Sequence, residues 1–227
     1  MRYRISSARR AFAAINNRLL CDSILAAGVS ERKVSQLAYQ GAIIQIHSSI
    51  EVYVTAILED WCFVRNAATS LNQNLPKPLR SWLVHKDLNG AYKSFQLSKS
   101  EKDILQALSF ASTTLKLIRD DSGTIAIYSS EIISEHSYPS FKNLEKVFNR
   151  LGFAFDAFAS KSLRQGARLY FEAFSTTRTT IAHQSAGELT ITDVRKFSSR
   201  ADTIVQLLDR AFFDALCKNT NSNVWPS

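Results

Sequence analysis

Hydrophobic positions recur at intervals of three and four along most of the 227-residue chain, the period of amphipathic helices. Phe12, Ile15, Leu19 and Ile24 mark a first helix over about 7–27, with Gly28 as its stop. Ser30 is placed to cap a second, over about 31–67. Its Ile43, Ile46, Ile50, Val54, Ile57 and Trp61 form the clearest stripe in the sequence, which predicts a long central helix.

Pro76 and Pro78 break that pattern, and a short helix is predicted from Leu79 to His85 before Asn89 and Gly90 interrupt it. Ser98 and Glu101 have the spacing of a capping box ahead of Ile104, Leu105, Leu108, Leu115 and Ile118. The β-branched stretch from Thr124 to Tyr128 reads as a short strand or an extended loop. A helix follows Pro139, from about Phe141 to Leu151, stopped by Gly152. The last third predicts a helix over about 163–183, a turn from Ser185 to Gly187, and a final helix over about 193–218 capped by Thr192 or Asp193. The closing Asn219 to Ser227 is polar and reads as frayed. The fold class is therefore all-α: a multi-helix bundle of about five to seven helices, residues 1–227 forming one domain.

Composition agrees. Seven Gly and four Pro are too few for the turns of a sandwich or barrel, while 45% hydrophobic residues suffice for a core. A net charge of +8 and a pI near 9.5 suit polyanionic partners, although the basic residues are dispersed and a plain soluble basic protein has the same balance. Cys21, Cys62 and Cys217 are odd in number and far apart, which excludes a disulfide framework and a zinc motif and points to buried free thiols in a reducing compartment. No apolar run approaches the roughly 18 residues of a membrane span. The basic start is broken by Asn16, Asn17 and Arg18, poor for a secretory signal, so the expected location is the cytoplasm.

Phosphate loops, dinucleotide fingerprints, nucleophile elbows and His-Glu-x-x-His motifs are all missing. What remains is His47, His85, His136 and His183 among sixteen arginines. An imidazole exchanges protons near neutrality and a guanidinium grips phosphate through two bonds, so a close Arg–His pair is a minimal kit for phosphodiester chemistry. Arg80 with His85 and Arg178 with His183 share one spacing, of which about one match arises by chance. Around His85, Trp82, Leu83 and Val84 read as a short helix docked on the core, a structural role. Arg178 and His183 end a helix carrying Tyr170, Phe171 and Phe174. A five-residue step rotates about 140° and climbs about 7.5 Å, so the two side chains flank one face and leave room for a phosphate. Thr176 and Thr179 line that face with hydroxyls. On the bland alternative His183 merely caps its helix and Arg178 is solvated.

The segment from Phe174 through Arg178-Thr-Thr-Ile-Ala-His183, followed by Gly187-Glu-Leu-Thr-Ile-Thr-Asp193-Val194, resembles the signature of the HEPN superfamily. It is closest to the RiboL-PSP branch. The helix from Ile46 to Trp61, with acidic Glu51 ahead of aromatic Tyr53, is similar to that branch's early helix. Where the family carries Asn, Asp or another strongly polar residue after the Arg, this chain has Thr179, and Gln184 replaces a common Gly after the His. The resemblance implies a metal-independent endoribonuclease without cofactor, a toxin or defence effector acting on RNA as a homodimer, with an antitoxin or regulatory partner. It implies Arg178 and His183 as catalytic residues, Glu51 as an orienting or charge-tuning partner unless it is only a surface carboxylate, and Thr179 as a supporting donor. The rival expectations are a catalytically inactive RNA-binding module and a protein-interaction module.

Overall fold

Three long helices carry the molecule, because three apolar stripes in the sequence are long enough to cover one another. The computed structural model describes residues 3–68, 75–110, 125–133, 140–163, 166–183, 188–220 and 225, without the side chains of residues 87, 91, 103, 107, 108, 110, 182, 183, 219 and 220. Among them are nine helices and no strand: α1 (Ser7–Ala27), α2 (Arg32–Ala67), α3 (Lys77–Ser98), α4 (Glu101–Phe110), α5 (Ser129–Ile132), α6 (Phe141–Arg150), α7 (Phe155–Leu163), α8 (Ala167–His183) and α9 (Ile191–Thr220). α1, α2 and α9 pack on one another, and α8 lies against α2 and α9.

The α2 stripe is buried along its length, with Ile46, Ile57, Leu58 and Trp61 fully enclosed. α9 answers with Val194, Phe197, Ile204, Leu208 and Phe212, and α1 with Phe12 and Leu19. Each such side chain contributes about 1.5–3 kcal/mol by leaving water. α2 is long and apolar enough by length and composition to cross a membrane, and here that apolar side forms the core. A second layer is phenylalanine-rich: Phe148 stacks on Phe155 at 4.5 Å and meets Phe212 at 4.4 Å, joining α6, α7 and α9.

Local chemistry departs from the sequence reading at several points. The residue before α2 is Glu31, with no side-chain cap bond, and Ser30 does not cap the helix. α3 runs straight through Asn89 and Gly90, since packing against α4 supports it. Lys99 ends it in the left-handed region (φ 54°). The helix expected beyond Ser98 is α4 as far as Phe110, and residues 111–124 lie outside the described set. Residues 125–128 form no strand, because side chains of α2 take the bonds a neighbouring strand would make. Asn66 both accepts from the Ile127 N–H (3.1 Å) and donates to its carbonyl (2.9 Å), while the Arg65 guanidinium donates to the Ile125 carbonyl (3.2 Å). The helix expected over about 163–183 begins at Ala167, after α7 has ended at Leu163. α9 is capped by Thr190, whose hydroxyl accepts from the Asp193 N–H and donates to the Asp193 carboxylate. Ile24 and Cys21 are exposed, whereas Cys62 is buried, its thiol pushed up to about 12 chiefly by that burial. Trp225 is also buried, donating to the Arg4 carbonyl at 3.2 Å.

Two polar devices lock the frame. Asp209 of α9 is fully buried and accepts from the hydroxyls of Tyr3 and Ser6, from the Ser6 N–H (3.3 Å) and from the Tyr53 hydroxyl (3.2 Å). Burial, and then this carboxylate, push the Tyr3 phenol up to about 12 and the Tyr53 phenol well above its ordinary value, so both remain neutral donors. The network ties the N-terminal segment to α2 and α9. The second device is Gln36 near the start of α2. Its side-chain amide donates to the Leu189 carbonyl (2.7 Å) and accepts from the Leu189 N–H (2.9 Å), and one turn earlier Arg32 pairs with Glu188. The chain just beyond the end of α8 is thereby clamped to α2.

Asp209→Ala leaves two phenols and a hydroxyl without their acceptor inside the protein, and it should cost about 3 kcal/mol in urea unfolding; a loss below about 1 kcal/mol would show the network to be incidental. Gln36→Ala should cost about 1–2 kcal/mol and speed hydrogen exchange at the Leu189 amide by about tenfold, while exchange in the middle of α2 stays unchanged.

Candidate active site

α8 forms because Ala167, Phe171, Phe174 and Ile181 place a buried edge on one side of it, and Arg168 adds an i,i+4 pair with Glu172 at 2.7 Å. Phe174 fixes its register. The ring stacks on Phe197 of α9 (4.3 Å, 16°) and on His47 of α2 (5.4 Å, 15°). One turn on, four residues after Phe174, comes Arg178, which is half-buried.

The two helices present matched i,i+4 pairs. On α2 these are His47 and Glu51, with His47 Nδ1 3.8 Å from Glu51 Oε1. On α8 they are Phe174 and Arg178. Phe174 covers His47, and the charge of Arg178 acts on both His47 and Glu51. His47 is only 1% exposed, whereas the Glu51 side chain is 39% exposed. The seam therefore has a closed aromatic end and an open charged end.

Electrostatics follow from that gradient. Burial first, and then the nearby Arg178 guanidinium, pull the His47 imidazole down to about 4, so it is neutral at physiological pH. Burial raises the Glu51 carboxyl above its ordinary value, and Arg178 opposes the shift. A carboxylate with a displaced titration, acted on by a guanidinium at the more exposed end of a seam, is the kind of group found at functional sites. The guanidinium offers phosphate a planar fork of donors.

The structure thus brings Arg178 and Glu51 together from opposite helices, 127 positions apart in number. His183 is the last residue of α8, with its side chain outside the described residues, as are residues 184–187, where the turn from Ser185 to Gly187 was expected. Thr179 is exposed and its hydroxyl donates to the Ser175 carbonyl at 3.2 Å. Thr176 and Thr177 do likewise toward Glu172 and Ala173, so these hydroxyl protons serve their own helix and do not line a pocket. His47 is the residue the sequence reading passed over. Its signal was the four-residue step to Glu51, hidden by the apolar stripe in which it sits.

Between the rival pair, Arg80 and His85, the helix packs on the core. Leu83 is buried, and the Trp82 indole donates to the Glu131 carbonyl (2.8 Å) beneath the Arg150 guanidinium, 3.4 Å from the ring centre. His85 is exposed beside that indole. His136 lies outside the described residues.

No curated protein and no solved structure matches the chain. The model of the family described as RiboL-PSP-HEPN matches residues 14–214, which include α2, α8 and most of α9, and the chain belongs to that family.

Proposed function

We propose that this protein is a metal-independent endoribonuclease whose site lies at the rim of the seam between α2 and α8. The observation that carries the reading is the half-exposed Arg178, whose charge acts on Glu51 across the seam, on the helix that ends in His183. In this reading RNA binds with a phosphate against Arg178. The ribose 2'-hydroxyl gives its proton to a base and attacks the adjacent phosphorus, the 5'-oxygen leaves with a proton from an acid, and Arg178 stabilises the charge on the phosphorane. His183 supplies base or acid chemistry. In a two-fold homodimer a second His183 supplies the other role, and two copies of Arg178 form the clamp. Glu51 orients Arg178 and tunes its field. A toxin or defence effector working in the cytoplasm, restrained by an antitoxin or regulatory partner, fits such an activity.

A second reading is favoured by one observation. Thr179, standing where the resemblance places a strongly polar residue, has turned its hydroxyl onto its own helix. On that reading the chain is an inactive HEPN domain that binds RNA or another protein.

Purified protein incubated with labelled RNA in EDTA separates them. The wild type should cut, Arg178→Ala and His183→Ala should each fall by at least about a hundredfold, and all three should keep a salt-sensitive affinity for RNA. RNA that is bound by the wild type and never cut would establish the inactive module instead.

A further inference from the structure

We propose that His47 is a positioning residue of this site: wedged between Phe174 and Glu51, its imidazole aims the Glu51 carboxylate at Arg178. The inference rests on the reading of Arg178 and Glu51 as functional, but nothing in that reading assigns His47 a part.

Three observations point the same way. The ring is held parallel to Phe174, so its plane is fixed by the same side chain that fixes the register of α8. Its Nδ1 edge lies 3.8 Å from Glu51 Oε1, one helical turn away on α2, so the nitrogen faces the carboxylate and not solvent. The charge of Arg178 reaches both groups, which places His47, Glu51 and Arg178 in one electrostatic unit. A buried histidine that served only to fill space would do so as well with any ring of its size. This one turns a polar edge toward Glu51, where a neutral ring with its proton on Nδ1 favours the ionised carboxylate without competing with Arg178 for it.

The mechanism is mechanical and electrostatic. A glutamate side chain at a helix surface samples several rotamers, most of them pointing into water. A fixed N–H dipole beside it favours the rotamer that approaches Arg178, and the guanidinium is then held toward the place where phosphate binds. His47 touches no substrate and takes no proton during the reaction.

The test compares His47→Phe, which keeps the ring and the stack but removes both nitrogens, with His47→Gln, which keeps an N–H donor. The first readout needs no RNA: the titration midpoint of the Glu51 carboxyl, followed by carbon NMR on the folded protein. It should move upward in His47→Phe, because the ionised form has lost the ring dipole 3.8 Å away, and stay near the wild-type value in His47→Gln. An unchanged midpoint in His47→Phe overturns the proposal, whether or not the protein cuts RNA. The second readout is cleavage. His47→Phe should lower kcat by about tenfold or more with KM little changed, as expected of a misplaced group. Adding Glu51→Gln should then cause no further loss, since the carboxylate has already lost its aim. Losses that multiply, or a His47→Phe enzyme as fast as the wild type, overturn it. If His47→Phe does not fold, His47→Leu against His47→Gln makes the same comparison. Should the midpoint shift while Arg178→Ala cuts as well as the wild type, it is the nuclease site that fails, and the positioning by His47 stands.

Discussion

Phe174 stacks on both His47 of α2 and Phe197 of α9, and the position of α8 follows from those two contacts. A ring stacked on two neighbours from different helices has little freedom to slide, so the helix carrying it cannot shift by a residue without breaking both contacts. Arg178, four residues on, is delivered to the same place on α2 each time the chain folds. The candidate chemistry therefore depends on a packing contact that is itself apolar. Gln36 and Arg32 do for the chain beyond α8 what Phe174 does for its middle, tying residues 188–189 to the start of the same long helix. α2 is thus the rail on which both ends of the motif are set.

The polar groups buried in this frame divide by what they touch. Asp209 is surrounded by donors, and the raised titration of Tyr3 and Tyr53 keeps those donors neutral, so the group holds structure in place and presents nothing to solvent. The His47–Glu51–Arg178 group is built the other way. Its members become more exposed along the seam, from an enclosed imidazole to a carboxylate and a guanidinium open to water. A structural network closes on itself in the core, whereas this one reaches the surface with a cation and an anion. That difference is the physical ground for reading one as scaffold and the other as site.

Much of this was legible in the chain. The stripe from Ile43 to Trp61 announced α2, and the aromatic run before Arg178 announced α8, because burial imposes a period that sequence displays directly. Arg178 was legible from its five-residue step to His183, but Glu51 only through resemblance, since spacing says nothing about proximity across helices. His47 was not, because a histidine inside an apolar stripe looks like core until the ring on the opposing helix is known. What the sequence left open or misjudged shares a cause. Residues 125–128 read as a short strand or an extended loop, and the loop forms because Asn66 and Arg65 supply its partners from a helix. Asn89 and Gly90 should interrupt α3, but packing on α4 outweighs their weak propensity. In each case a contact distant in sequence overruled a local preference.

The most direct measurement concerns the ends of the cut. An RNA oligonucleotide with a single cleavage position, incubated in EDTA, should give a 2',3'-cyclic phosphate on the upstream fragment by mass spectrometry, and the same oligonucleotide with a 2'-deoxy sugar at that position should stay whole. An upstream fragment ending in a 3'-hydroxyl, or cleavage of the deoxy-substituted strand, would contradict attack by the ribose hydroxyl and with it the role given to the seam between α2 and α8.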